Sequence, residues 1–106
     1  MSGNQNIQKS SITATLTANT VDLAILTNPC FEVTVVNVTG TAAIYFTVGH
    51  PGGPCPQPTV GGQECYVLPA AVGSVDIRHA GQFGTVVQLI SSGTPTYTVS
   101  ITGAGG

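Results

Sequence analysis

Charge is what this sequence has least of. The 106 residues hold two basic and four acidic side chains (Lys9, Arg78; Asp22, Glu32, Glu64, Asp76), 6% of the chain, where about a quarter is usual. Two basic side chains leave no electrostatic footprint for phosphates, so neither nucleic acid nor an anionic membrane surface is expected as a partner. A net charge of -2 gives little self-repulsion, so either Thr, Ser, Asn and Gln carry the solubility or partners cover much of the surface. Coverage by partners is the expectation. No apolar run approaches the ~20 residues of a membrane-spanning helix. Residues 1–10 lack the apolar stretch of a secretory signal, so synthesis in the cytoplasm is expected. Cysteine is also scarce: Cys30, Cys55 and Cys65 are too few, and odd in number, for a secreted disulfide framework.

The sequence lacks catalytic signatures as well. It has no Gly-x-Ser-x-Gly elbow, no phosphate-cradling glycine motif leading into a helix, and no cofactor fingerprint. The expectation is a protein that is not an enzyme and takes no cofactor. No C-x-x-C or H-x-x-x-H spacing occurs, and Trp is absent.

What is present is alternation. The organising stretch is residues 31–48, two β-branched and aromatic runs that read as a β-hairpin. Its first arm sets Phe31, Val33 and Val35 against Glu32, Thr34, Val36 and Val38; its second sets Ala42, Ile44, Phe46 and Val48 against Ala43, Tyr45 and Thr47. Residues 37–41 form the turn, in which Gly40 can take the positive φ a hairpin needs.

The rest of the chain repeats the theme. Residues 1–10 are polar and aperiodic and read as an arm that a partner would order. Residues 11–17 alternate Ile12, Ala14 and Leu16 with threonines, as an antiparallel strand with one solvated face does. In residues 20–26, Val21, Leu23 and Ile25 oppose Asp22 and Ala24. Further strands are expected over 64–68, over 73–78 (Val75 and Ile77 inward), over 85–90 and over 96–102, with 103–106 a frayed tail. Residues 85–90 are apolar on both faces, which marks a central strand. Seven or eight short strands and no helical periodicity in one domain, 11–102, specify an all-β chain: an antiparallel β-sandwich, jelly-roll or Ig-like, with a barrel as the alternative.

Residues 49–63 hold four prolines and five glycines and read as a long exposed loop. Cys55 and Cys65 bracket its end, and a disulfide between them would close a loop of roughly ten residues, worth about 2–3 kcal/mol. Cys30, Cys55, Cys65, His50 and His79 are soft ligands, but they are scattered, so no metal site is assigned. Asp76 and His79 lie close in sequence without the spacing of a triad, and Asp76 with Arg78 reads as a surface pair. Asn37 opens an Asn-Val-Thr sequon but is read as a turn residue.

Three runs carry a resemblance: residues 38–48 (VTGTAAIYFTV), 64–70 (ECYVLPA) and 87–99 (VQLISSGTPTYTV), in that order. Together they resemble the small β-rich capsid decoration proteins of tailed bacteriophages, those of actinobacterial phages in particular, over residues 12–102. The resemblance implies a structural virion protein on the capsid exterior, made in the bacterial host cytoplasm. Its partner would be the major capsid protein, and it would form a homo-oligomer, a trimer first. Tyr45, Phe46, Tyr66 and Phe83 are the aromatics expected to include interface residues. A tail or baseplate component, and a ligand- or carbohydrate-binding β-module using the 49–63 loop, are the alternatives.

Overall fold

The computed structural model describes residues 11–53, 56–62, 65–81 and 83–103. The arm at 1–10 and the tail at 104–106 lie outside them. Eight strands follow in order: β1 (Ser11–Thr15), β2 (Asp22–Leu26), β3 (Cys30–Asn37), β4 (Ile44–Gly49), β5 (Tyr66–Leu68), β6 (Gly73–Gly81), β7 (Thr85–Ile90) and β8 (Thr96–Gly103). They make two antiparallel four-stranded sheets, sheet A in the order β1-β8-β3-β6 and sheet B in the order β2-β7-β4-β5. First pairs with last, second with seventh, third with sixth and fourth with fifth. That is one long hairpin rolled up, the jelly-roll form of the β-sandwich, and no barrel closes.

Alternation builds the core. Val33, Val35, Tyr97 and Val99 from sheet A meet Ile44, Phe46, Val87 and Leu89 from sheet B, all essentially inaccessible to water. Each such side chain contributes about 1.5–3 kcal/mol by leaving water. β7 lies between β2 and β4, a central strand as its two apolar faces require.

The expected hairpin over residues 31–48 is not one. β3 belongs to sheet A and β4 to sheet B, and residues 38–43 arch from one sheet to the other. Asn37 holds the arch: its fully buried amide donates from Nδ2 to the carbonyls of Ala42 (2.9 Å) and Pro69 (3.1 Å), and its Oδ1 accepts from Gly40 N–H (3.0 Å). Gly40 does adopt a positive φ, 68°, and a Cβ there would come within 2.6 Å of Val72 N. Val38 N–H donates to Thr96 C=O (2.8 Å), which ties the arch to the start of β8. Alternation tells which side of a strand is dry, not which strand lies beside it.

β2 also turns the other way from its hydrophobic count. Asp22, Ala24 and Leu26 face inward, and Leu23 and Ile25 face out at 54% and 43% exposure. Asp22 is accommodated because the buried Tyr97 hydroxyl of the opposite sheet donates to its Oδ2 at 2.7 Å.

Candidate functional site

Two outer faces of very different chemistry result. On sheet B the outward positions are Leu23 and Ile25 of β2, Val86 and Ile90 of β7, Tyr45 of β4 and Val67 of β5. Cross-strand register sets them in rows: Ile25 opposite Val86, and Ile90, Tyr45 and Val67 side by side. With strands about 4.8 Å apart, the face is about 14 Å across. Leu23, Ile25 and Val67 (52%) are its exposed members, while Val86 and Ile90 are nearly covered. Its centre is polar, with Gln88 and Thr47 opposite one another. Thr47 Oγ1 donates to Pro56 C=O at 2.5 Å, and Pro58 is buried. The Pro/Gly loop, expected to stand exposed, is therefore folded back over Thr47 of this sheet, with most of its described residues still in water.

On sheet A the outward positions are Ser11, Thr13 and Thr15 of β1, Thr96, Thr98, Ser100 and Thr102 of β8, Glu32, Thr34 and Val36 of β3, and Ser74, Asp76 and Arg78 of β6. Their hydroxyls bond to one another: Thr13 with Thr98 (2.8 Å) and Thr15 with Thr96 (2.9 Å). Thr34 Oγ1 donates to Asp76 Oδ1 at 2.6 Å.

The aromatics expected at an interface divide. Phe46 points into the core and is fully buried, so it holds the fold rather than a partner. Tyr66, 48% exposed at the sheet edge, stacks on Phe46 with ring centroids 5.3 Å apart. Tyr45 is half-buried on the outer face of sheet B, and Phe83 projects from the turn before β7 at 86% exposure. Leu23, Ile25 and Val67 belong to the exposed face and were missed. For Leu23 and Ile25 the inward Asp22, held there by Tyr97, obliges its odd-numbered neighbours to face out, and no sequence signal marks Val67.

Asp76 and His79 lie on opposite faces of β6, so no catalytic dyad forms. His79 instead stacks on His50 at the end of β4, centroids 4.6 Å apart. Burial lowers the His79 pKa, the neighbouring His50 lowers it further, and a hydrogen bond to the Gly49 backbone partly offsets both. Its Nε2 is buried with no hydrogen-bond partner among the described residues. Cys30 Sγ lies 3.2 Å from Thr85 Oγ1, and a Cβ on Gly81 would come within 2.8 Å of that sulfur and 3.2 Å of the His79 ring. Cys65 Sγ lies against the carbonyls of Gly62 (3.5 Å) and Thr59 (3.8 Å), and Cys55, its expected disulfide partner, is outside the described residues. Among the described residues, no three ligating side chains gather as a metal site would need. Tyr97 has its pKa raised, by burial first and then by Asp22, so the phenol stays protonated and keeps its bond across the sheets.

Comparison with known proteins adds the fold and nothing more specific. No family model matches the chain, and no curated protein matches it. Among solved structures it is similar to PliG of Aeromonas hydrophila, a periplasmic lysozyme inhibitor of g-type lysozyme, with TM-score 0.54, 15% identity, and 96% of this chain and 93% of that one covered. It is also similar to the Yersinia pseudotuberculosis-derived mitogen, with TM-score 0.50, 13% identity, and 94% and 90% covered. At such identities the likeness is one of architecture.

Proposed function

We propose that this chain is a structural virion protein that binds the outer surface of a bacteriophage capsid and stabilises the shell, with the outer face of sheet B as its contact with the major capsid protein. The observation that carries the reading is that face: Leu23 and Ile25 lie exposed on β2 and Val67 on β5, at opposite edges of a sheet whose outer side also carries Val86, Ile90 and Tyr45, on a sandwich with little charge anywhere. A shell subunit needs stiffness and contact area rather than a cleft, and the sequence resemblance to decoration proteins points the same way. Jelly rolls serve viral capsids and lectins alike, so the architecture is compatible with this role without selecting it. Grouping as trimers at local threefold positions is the arrangement the resemblance implies.

Quantitative mass spectrometry of purified particles tests it. A decoration protein is present at about one copy per major capsid subunit, or at a simple fraction of that. A few copies per particle would move it to the tail or baseplate, and its absence would return attention to a ligand-binding module. Ile25→Lys should leave the fold intact and lower occupancy of the shell at least about tenfold, the size of a central contact.

A further inference from the structure

The two sheets end differently. β1 and β2 are five residues each and β5 three, whereas β6, at the edge of sheet A, runs for nine and among the described residues pairs only with β3. A long edge presents a row of backbone donors and acceptors that a second strand can take up. We propose that the strand it takes up is β6 of a second copy, antiparallel, with Ile77 opposite the partner's Ile77 and Asp76 opposite the partner's Arg78.

The charge pattern selects this register. A two-fold axis normal to the sheet keeps outer faces outward, so opposing residues must share a face, and the axis must pass between equivalent residues. Centred on residue 76, it sets Asp against Asp; centred on 78, it sets Arg against Arg. Centred on 75, it sets Asp76 against the partner's Ser74 and leaves Arg78 beyond the strand. Centred on 77, it makes two Asp–Arg pairs and overlaps Gly73–Gly81 end to end, since residue 77 is the midpoint of β6. Arg78, one of two basic residues in the chain, lies opposite Glu32 on its own β3. In the dimer it would sit between Glu32 and the partner's Asp76, a side chain whose Oδ1 accepts from Thr34 on the side toward β3. Opposite charges directly across antiparallel strands attract, and like charges there repel. β6 carries one residue more than β3 between Arg78 and Gly81, so the regular part of the pairing is Val75 to His79. Sheet A would continue as eight strands. The contact leaves the outer face of sheet B untouched, does not depend on the proposed capsid role, and is additional to any threefold grouping.

Disulfide trapping reads the register directly. In the full chain with Cys55→Ser and Cys65→Ser, leaving the buried Cys30, Asp76→Cys and Arg78→Cys are made separately and checked for native far-UV circular dichroism. Oxidation of the equimolar mixture should give a covalent dimer of one variant with the other, at least about fivefold more than either variant alone, because only opposed positions satisfy disulfide geometry. Linkage of Asp76→Cys to itself, of Arg78→Cys to itself, or no excess in the mixture overturns the proposal. On the unsubstituted protein, amide exchange over 74–79 should slow with rising concentration, and concentration-independent exchange would overturn it too. Arg78→Asp should weaken the dimer at least about tenfold by facing carboxylates with carboxylates.

Discussion

The outer faces of the two sheets have the same strand count and the same alternation, yet one is a field of hydroxyls and the other sets apolar side chains around a polar centre. On sheet A, Thr13 meets Thr98 and Thr15 meets Thr96, so the polar groups satisfy one another without charge. On sheet B, Leu23, Ile25, Tyr45 and Val67 take the equivalent places. The contrast leaves a chain with so few charges presenting hydroxyls on one outer face and the exposed side chains of Leu23, Ile25 and Val67 on the other. It also assigns different work to side chains that a residue count treats alike.

β4 gives the sharpest break of that contrast, because neighbours in sequence lie on opposite sides of sheet B. Phe46→Ala should destabilise by about 3–5 kcal/mol, the usual cost of emptying a buried aromatic site. Tyr45→Ala, outward and half-buried, should cost well under half as much. Urea unfolding of both variants measures the difference, and equal losses would mean that the outer face is part of the core.

Legibility followed the same division. Strands whose two sides differ in chemistry, such as β1 and β8 with threonine outside and Ile12, Val99 and Ile101 inside, could be oriented from sequence, and the all-β sandwich followed from them. β2 could not, because Leu23 and Ile25 on one side and Ala24 and Leu26 on the other are all apolar. What decides its face is Tyr97, 75 residues away from Asp22 in sequence. The arch between β3 and β4 was hidden for a related reason. Asn37 and Gly40 are good hairpin-turn residues, and only their bonds to Ala42 and Pro69, together with the close approach of Val72, show an inter-sheet connection. The His50–His79 stack joins elements 29 residues apart and has no local signature.

That stack is where the two sheets meet at one end, and it should make their union sensitive to acid. Because the folded-state pKa of His79 is lowered from the ordinary 6.5, the unfolded chain takes up its proton first as pH falls. The contribution is absent well above pH 6.5, and stability declines as the pH drops from there to the folded pKa, below which the loss levels off. One proton allows a slope of at most about 1.4 kcal/mol per pH unit. His79→Gln should flatten the decline, and His50→Gln should reduce it by removing the second cause of the shift. Urea midpoints measured across that window check both. A decline unchanged by either substitution would place the acid-sensitive group elsewhere.

The smallest expected effect lies on the hydroxyl face and bears most directly on the division of labour. In a cycle of Thr13→Ala, Thr98→Ala and the double variant, the coupling between the two side chains should be about 0.2–1 kcal/mol, as for an exposed cross-strand pair. Their hydroxyls bond to each other, so a partner would gain little by replacing that bond, and under the proposed capsid role particle occupancy should be the same for all members of the cycle. The same particles loaded with Ile25→Lys supply the opposite arm. If occupancy fell with the threonine variants and held with Ile25→Lys, the shell would be gripped through sheet A. The apolar face of sheet B would then need a different partner.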